Sequence, residues 1–252
     1  MLSIIGIGLN DEKDITLKGL ELVKQSDFVY LESYTSILQC DVSALEKLYG
    51  KKIILADRTL VEQKAEETIL KNAKTKNVSL LVIGDSLSAT THTDLLKRAK
   101  DLGIKINIIH NASILTAVAE TGLQLYKFGK TTSMPFPEKN FQPETSYEVI
   151  RDNLLLGFHT LVLLDLRPQE NRFMTVNDAI KILLNIENKR KEKVLSDKTK
   201  LIGCARLGNE KHTIKYGTAE KLLKENFGKP PHCIIIPGKM HFAEEEFVGQ
   251  FK

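Results

Sequence analysis

The chain has 252 residues, of which 42% are hydrophobic and 27% charged, with a formal net charge of +4. This length suits one large domain or two modest ones, and the apolar content is enough for real hydrophobic cores. The mild positive charge does not require an acidic or nucleic-acid partner, and no apolar run approaches the roughly 20 residues of a membrane-spanning helix.

The three cysteines are far apart and form no Cys-x-x-Cys pair: they are Cys40, Cys204 and Cys233. This usage is typical of reduced thiols in a cytosolic protein. Because the first predicted strand begins at residue 2, we expect no signal or transit peptide. The sequence therefore predicts a cytoplasmic protein that does not enter a membrane.

The first part of the chain alternates predicted strands with predicted helices. Continuous apolar runs predict strands at 2–7, 28–31, 52–56, 78–83 and 104–109. Apolar residues at helical spacing predict helices at 16–26, 42–49, 60–73, 91–102 and 113–121. Strands of this kind, separated by helices, are typical of a parallel sheet that is covered on both faces. We therefore predict an α/β fold for this part.

Residues 123–143 differ in character, because Pro135, Pro137 and Pro143 exclude a continuous helix or a central strand. We therefore predict an N-terminal domain at 1–122, a linker region at 123–143 and a C-terminal domain at 144–252. In the C-terminal domain, strands are predicted at 160–164, 201–205, 212–216 and 233–236, and helices at 146–155, 176–186, 218–226 and 242–251. Several short strands around turns predict a second, mixed sheet.

Three predicted strands of the first domain end in turns that carry Gly or Ser, at residues 6–9, 84–88 and 110–114. In open α/β sheets ligands bind beyond the carboxyl ends of the strands. Small residues let the main chain approach a ligand closely, and the carboxylate of Asp85 favours a cationic one. An adenosyl sulfonium fits this description. Thr91 and Asp94 are predicted to cap the helix that follows the second turn.

Other common motifs are absent from the sequence. Gly6-x-Gly8 resembles the start of a dinucleotide-binding fingerprint, but Asp11 stands where the third glycine belongs and would repel a pyrophosphate. There is no P-loop, no His-Glu-x-x-His, no paired Cys and His spacing and no Gly-x-Ser-x-Gly elbow. We therefore expect no metal site and no hydrolase chemistry, and a nicotinamide oxidoreductase is disfavoured.

Seven segments resemble the diphthine synthase family, a branch of the tetrapyrrole-methylase-like methyltransferases that use S-adenosylmethionine. They are residues 6–9, 14–21, YLESYTS at 30–36, ATTHTDL at 89–95, IHNASI at 109–114, GLQLYKFG at 122–129 and PPH at 230–232. The resemblance implies two α/β domains with the cofactor in the cleft between them, usually in a homodimer. It also implies methylation of the amino group of a modified histidine in translation elongation factor 2, with no direct contact to nucleic acid.

The resemblance further implies the positions that bind S-adenosylmethionine, which are Leu9, Asp85, Ser88, Ser113, Ile114, Leu164, Leu207 and His232. No general base can be assigned, although Asp85 and His232 are candidates. The family usually has Gly-Asp-Pro where this chain has Gly84-Asp85-Ser86. The serine frees the turn and adds a backbone donor.

Two alternatives remain open from the sequence. The first is a methyltransferase of the same fold that acts on a tetrapyrrole or on ribosomal RNA. Those relatives share the glycine turns but lack the segments at 30–36 and 124–129. The second is a basic module without catalysis that binds RNA or the ribosome through its lysines. It predicts strongly salt-dependent RNA binding and no adenosyl ligand.

Overall fold

A computed structural model describes every residue, Met1–Lys252. The chain forms two compact units, Met1–Ala117 and Val118–Lys252, called here the N-terminal and the C-terminal unit. This division lies within the predicted 1–122 domain. No helix combines the length and the hydropathy needed to cross a bilayer.

The N-terminal unit contains one five-stranded sheet. Its strands are β1 (Leu2–Gly6), β2 (Phe28–Glu32), β3 (Ile54–Ala56), β4 (Val78–Val82) and β5 (Ile106–Ile109). They lie in the order β3-β2-β4-β1-β5, and every pair is parallel. All residues of β1 and β4 are buried, as expected for central strands that are covered on both faces. The predicted parallel sheet is confirmed.

Two apolar layers cover this sheet. Neighbouring strand residues point to opposite faces, so Ile4 and Leu80 pack in one layer and Ile5 and Leu81 in the other. The helices of the unit are α1 (Leu17–Lys24), α2 (Val42–Tyr49), α3 (Ile69–Ala73), α4 (Thr93–Asp101) and α5 (Ile114–Ala117). The Thr16 hydroxyl caps α1 by accepting a hydrogen bond from the Gly19 N–H at 3.1 Å.

Two local predictions for this unit are wrong. The helix predicted at 60–73 is a π-helical turn, Thr59–Gln63, followed after a break by α3. The predicted Thr91 cap is absent, because α4 begins after His92, whose backbone is already helical. The Thr91 hydroxyl instead faces Glu62 Oε1 at 3.5 Å. The chain reaches this helix start through Ala89, which has a left-handed backbone with φ of 56°.

The C-terminal unit contains a mixed sheet, also as predicted. Its strands are β6 (Thr132–Met134), β7 (Thr160–Leu164), β10 (Lys200–Ala205), β11 (Thr213–Thr218) and β12 (His232–Ile236), in the order β11-β10-β12-β7-β6. Only β6 and β7 are parallel. Strand β6 lies within the stretch predicted as a linker, so this part of 123–143 belongs to the sheet. A small hairpin, β8 (Leu166–Arg167) and β9 (Arg172–Phe173), follows β7.

Helices α6 (Thr145–Leu155), α7 (Val176–Arg190), α8 (Ala219–Leu222) and α9 (Phe242–Val248) complete this unit. Thr175 and Asp178 form a capping box at the start of α7. Helix α8 ends earlier than the predicted 218–226, although Thr218 caps it as expected.

Buried Glu244 ties α9 to distant segments of the C-terminal unit. Its carboxylate accepts hydrogen bonds from the Gln124 N–H at 2.9 Å, the His241 N–H at 2.7 Å and His159 Nε2 at 3.0 Å, and it also pairs with Lys127. Burial favours a higher pKa for Glu244, but these partners lower it to about 2. The carboxylate is therefore a fixed negative charge that holds the C-terminal helix in place.

Candidate cofactor site

The carboxyl edge of the parallel sheet has a natural ligand position between β1 and β4. These strands are neighbours, but the chain leaves β1 towards β2 and leaves β4 towards β5, in opposite directions along the sheet. The two connections cover opposite faces of the sheet, and ligands of open α/β sheets bind beyond the carboxyl ends of such strands. The turns that carry Gly8 and Gly84 meet there.

Gly8 and Gly84 exchange both of their backbone hydrogen bonds. The Gly84 N–H donates to the Gly8 carbonyl at 2.7 Å, and the Gly8 N–H donates to the Gly84 carbonyl at 3.2 Å. Both residues have positive φ, 80° and 85°, which glycine adopts without strain. A Cβ at neighbouring Gly6 would lie 2.7 Å from the Gly84 carbonyl oxygen. The two turns therefore approach closely because glycine occupies these positions.

Asp85 links the turn after β4 to the turn after β5. Its Oδ1 accepts hydrogen bonds from the Leu87 N–H at 3.0 Å and the Ser88 hydroxyl at 2.9 Å. Its Oδ2 accepts from His110 Nδ1 at 2.8 Å and the Asn111 N–H at 3.0 Å. Burial favours a higher pKa for Asp85, but the four hydrogen bonds lower it to about 2. Because it stays ionised and both oxygens are occupied, Asp85 is a poor proton acceptor.

Asn111 and Asp14 complete the edge, and neither was predicted as a site residue. The Asn111 side-chain amide donates to the Gly6 carbonyl at 3.0 Å and to the Asp14 carbonyl at 2.9 Å. The Asp14 carboxylate accepts from the N–H groups of Leu9 at 3.1 Å and Asn10 at 2.8 Å. The turns after β1 and β5 are thus joined by side chains. The polar pair His110-Asn111 after β5 is the sequence signal that could have indicated Asn111.

The other positions predicted in this unit lie on the same turns. Leu9 and Ile114 are half-buried aliphatic side chains, whereas Ser113 is buried and its hydroxyl accepts the Leu115 N–H at 3.1 Å. A Cβ at Gly84 would meet its nearest atom, Leu9 Cδ2, at 3.7 Å, so the backbone is open on that side. Partly exposed aliphatic groups beside open backbone and a fixed carboxylate fit an adenosyl group that carries a sulfonium.

Ser86 stands where the resemblance described above leads us to expect proline. The residue is fully buried and its Oγ has no hydrogen-bond partner. The backbone N–H that serine adds also makes no hydrogen bond. Proline at this position would therefore cost the turn no hydrogen bond. Compared with proline, serine adds one buried hydroxyl without a partner.

In the C-terminal unit, the structure brings Leu164, Leu207 and His232 to one edge of the mixed sheet. Leu163 pairs with Cys233 in antiparallel register, which places Leu164 and His232 next to this pair. The β10 residue that pairs with His232 is Ala205, two positions before Leu207. All three predicted side chains are buried.

Both ring nitrogens of His232 are occupied. Its Nδ1 accepts the Val176 N–H at 3.3 Å, and its Nε2 donates to the carbonyls of Gly228 and Lys229, each at 3.2 Å. Burial lowers the pKa of His232 more than these carbonyls raise it, so the ring is neutral at neutral pH. The ring supports the β12 start and has no free nitrogen to act as a base.

Arg206 holds the loops around Leu207 and His232 and was not predicted. Its guanidinium donates to the Phe227 carbonyl at 3.2 Å, the Lys211 carbonyl at 3.0 Å and the Lys229 carbonyl. These acceptors lie on two loops that are distant in sequence from one another. Local sequence patterns carry no signal for such contacts.

Comparison with known proteins identifies the family to which this chain belongs. The family model described as Tetrapyrrole (Corrin/Porphyrin) Methylases matches residues 1–223. The chain belongs to the tetrapyrrole methylase family. It is therefore a methyltransferase, as predicted, and the alternative of a non-catalytic module is not supported.

Within this family the chain is similar over its whole length to diphthine synthases. It is 48% identical to the probable diphthine methyl ester synthase of Arabidopsis thaliana, covering 100% of this chain and 98% of that protein. It is also 48% identical to the diphthine synthase of Methanocaldococcus jannaschii, with 98% and 96% covered. The crystal structure of a putative diphthine synthase from Entamoeba histolytica has a TM-score of 0.93 at 45% identity, with 100% and 98% covered. The resemblance found in the sequence is confirmed.

Proposed function

We propose that this methyltransferase uses S-adenosylmethionine to methylate the amino group of the modified histidine of translation elongation factor 2, in diphthamide biosynthesis. The similarity to diphthine synthases over the full length of the chain carries this proposal. Relatives that act on tetrapyrroles or ribosomal RNA would share the glycine turns, but they are not expected to share the segments at 30–36 and 124–129.

We propose the eight predicted positions as the cofactor-binding residues: Leu9, Asp85, Ser88, Ser113, Ile114, Leu164, Leu207 and His232. The cofactor supplies a methyl group bonded to a positively charged sulfur. The fixed charge of Asp85 favours a cation near the glycine turns. The aliphatic side chains of Leu9 and Ile114 exclude water, and a rigid edge allows alignment of the amine for in-line attack.

Cofactor binding is tested by calorimetry with S-adenosylhomocysteine, the reaction product. We expect Asp85→Arg to abolish binding, because it removes the link between two turns and places a cation at the edge. Asp101→Asn is the control, since Asp101 is an exposed residue of α4 that pairs with Lys97 at 2.9 Å. Binding unchanged in Asp85→Arg would contradict the proposed site.

The substrate is tested with elongation factor 2 that carries the unmethylated intermediate. Incubation with the protein and methyl-labelled cofactor should incorporate label into that histidine, and mass spectrometry counts the methyl groups. The names of two relatives, from A. thaliana and Dictyostelium discoideum, contain methyl ester synthase. Labelling of a carboxylate in addition to the amine would place this chain with them. No incorporation would refute the substrate.

We also propose that the protein is a cytoplasmic homodimer that binds no nucleic acid. Exposed apolar side chains support self-association: in the C-terminal unit Tyr126 is 79% exposed, Leu155 80%, Leu156 70% and Phe242 73%. The segments that carry these side chains lie close together. The His159 N–H donates to the Lys127 carbonyl and the Lys239 N–H donates to the Gly157 carbonyl, both at 3.0 Å. Leu155→Glu should shift the mass in light scattering to a monomer, while Leu17→Glu, equally exposed on the N-terminal unit, should not.

A further inference from the structure

Arg172 is an arginine of the C-terminal unit that makes no ion pair. It is exposed on β9 of the small hairpin, and its guanidinium carbon lies 3.8 Å from the centre of the Phe136 ring. A cation over an aromatic face is attracted to the ring, and the flat guanidinium also stacks on it. The side chain is therefore held in place although no carboxylate of the chain lies within ion-pair distance.

A second arginine lies directly opposite in the hairpin. Strands β8 and β9 are antiparallel, and Arg167 pairs in register with Arg172. Like charges at opposite positions of a strand pair repel each other and destabilise the pair. Arg167 has three counter-ions, which are Glu138 at 2.8 Å, Asp165 at 3.4 Å and Glu170 at 3.7 Å. The chain thus supplies counter-ions for only one of the two opposed arginines.

Hydrogen bonds on both sides hold the base of the hairpin. The Asp165 N–H donates to the Met134 carbonyl at 3.1 Å, and the Met174 N–H donates to the Asp165 carbonyl at 3.0 Å. The Asp165 carboxylate also accepts the Phe136 N–H at 3.0 Å. Phe136 is 7% exposed, so its ring is a fixed support for the guanidinium of Arg172. This guanidinium is therefore preorganised before any ligand binds.

The hairpin lies at the edge of the mixed sheet where we propose cofactor contacts. It begins directly after Leu164, and it leads to α7, whose first residue donates its N–H to His232 Nδ1 at 3.3 Å. Strands β6 and β7 are parallel, with Met134 paired to Leu164, so Phe136 and the hairpin follow the same ends of two neighbouring strands. Arg172 therefore stands beside the proposed ligand edge of the C-terminal unit.

The ligands of the proposed reaction carry carboxylates for which no cation has been assigned. The eight proposed cofactor positions include one fixed negative charge, Asp85, but no positive charge, because His232 is neutral. S-adenosylmethionine has a carboxylate at its amino-acid end. A methyl ester, the product in the names of two relatives, also forms on a carboxylate. A carboxylate that leaves water is stabilised by a cationic donor.

The charges around Arg172 select the kind of anion. A guanidinium presents its N–H groups in a fork that matches the two oxygens of one carboxylate. The three carboxylates at Arg167 exceed the charge of that arginine, and they would repel the multiple charges of a phosphate or a nucleic acid. This corner of the unit therefore suits a single carboxylate.

We propose that Arg172 binds the carboxylate of a ligand at this edge through a bidentate ion pair. The carboxylate belongs either to the modified histidine of the substrate or to the amino-acid end of S-adenosylmethionine. The inference rests on the proposed function, because both are ligands of the proposed reaction. Binding neutralises Arg172 and reduces its repulsion from Arg167, so the ligand also stabilises the hairpin.

The main test compares Arg172→Gln with the unaltered protein in two assays. One measures KM for elongation factor 2 that carries the unmethylated intermediate, and the other measures Kd for S-adenosylhomocysteine by calorimetry. If the substrate supplies the carboxylate, KM should rise about 10- to 100-fold, as expected for the loss of a hydrogen bond between charged groups, and Kd should stay unchanged.

If the cofactor supplies the carboxylate, Kd for S-adenosylhomocysteine should rise by that factor instead. Kd for 5′-methylthioadenosine, which lacks the carboxylate, should then be the same in both proteins. No change in KM and no change in Kd for S-adenosylhomocysteine would overturn the proposal.

A conservative variant separates carboxylate binding from a structural role. In Arg172→Lys the charge remains but the fork is lost, so part of the affinity should return. Thermal unfolding of Arg172→Gln without ligand should be nearly unchanged, because the lost contact with Phe136 and the relieved repulsion from Arg167 oppose each other. Weaker binding with a clearly lower unfolding temperature, and no recovery in Arg172→Lys, would overturn the proposal.

Arg151→Gln is the matched control in the same unit, because Arg151 lies on α6 and already pairs with Asp152 at 2.8 Å and Glu192 at 3.3 Å. It should change neither KM nor Kd. Failure of this inference can be distinguished from failure of the proposed function. If the unaltered protein transfers no methyl group to elongation factor 2, the proposed function is wrong, and calorimetry still tests Arg172 against the cofactor. If it does and Arg172→Gln matches it in both assays, only the assignment of Arg172 is wrong.

Discussion

The carboxylate of Asp85 accepts a hydrogen bond from the backbone N–H of Asn111 at 3.0 Å. Together with the hydrogen bond between His110 Nδ1 and the same carboxylate oxygen, at 2.8 Å, this contact fastens the turn after β4 to the turn after β5, across the intervening strand β1. The ligand edge is thus held together by a buried charge, and its stability is linked to the charge state of Asp85.

Asp85→Asn should destabilise the protein at pH 7 by about 2 kcal/mol, because the folded carboxyl has a pKa of about 2 against an ordinary 3.8. A lowered pKa gives stability that is present above pH 3.8 and lost as the pH falls towards 2. The cost of the substitution, measured by urea denaturation, should therefore shrink in acid. Asp101→Asn removes an exposed charge and should cost little at either pH. A cost independent of pH would contradict this view of Asp85.

Gly6→Ala should destabilise the protein by about 3 kcal/mol and abolish binding of S-adenosylhomocysteine, because the added methyl overlaps the crossing backbone. The Cβ would lie 2.7 Å from the Gly84 carbonyl oxygen and 2.9 Å from the Ser86 nitrogen. Gly50→Ala is the control: Gly50 has a φ of 68° but no atom within 4 Å of its Cβ position. It should cost only about 1 kcal/mol of backbone strain and leave binding intact. Equal effects of the two substitutions would mean that the close contact between Gly6 and the Gly84 turn is unimportant.

Ser86→Ala should stabilise the protein by about 1 kcal/mol, because it removes a buried hydroxyl without a partner. Ser86→Pro should stabilise it further, since the Ser86 N–H makes no hydrogen bond and proline restricts the unfolded chain. Thermal unfolding without ligand measures both. A loss of cofactor affinity in Ser86→Ala would show instead that the hydroxyl contacts the bound ligand.

Glu244→Gln should destabilise the protein by about 3 kcal/mol at pH 7, because it leaves the partly buried ammonium of Lys127 without a counter-ion and weakens the hydrogen bond from His159. Glu245→Gln is the matched control on the same helix, since Glu245 is exposed. As for Asp85, the folded pKa of Glu244 is lowered, from 4.5 to about 2. The cost should therefore decline as the pH falls below 4.5. Similar costs for the two variants would refute the role of the buried network.

The parallel sheet was predictable because its strands are continuous apolar runs, a signal contained within a few neighbouring residues. The same holds for the glycine turns and for Asp85, which directly follow such runs. The hairpin β8–β9 and strand β6 were missed because two or three residues give no usable periodicity. The cap at Thr91 failed because the left-handed Ala89 moves the helix start to Thr93.

Side-chain links between turns could not be predicted. Asn111 contacts Gly6 across 105 positions of sequence, and Arg206 reaches Lys229 across 23. Such contacts exist only after the sheet has brought the turns together.

The position of β1 in the sheet has a consequence for the order in which the protein can fold. Strand β1 is the first to leave the ribosome, yet it pairs only with β4 and β5. Its earliest sheet partner is Val78, so the first segment must wait, unpaired, for most of the N-terminal unit to be synthesised. The two glycine turns cannot meet before residue 84 has emerged. During synthesis, the turns of the ligand edge should therefore come together in one late step, after β5 and Asn111 have emerged.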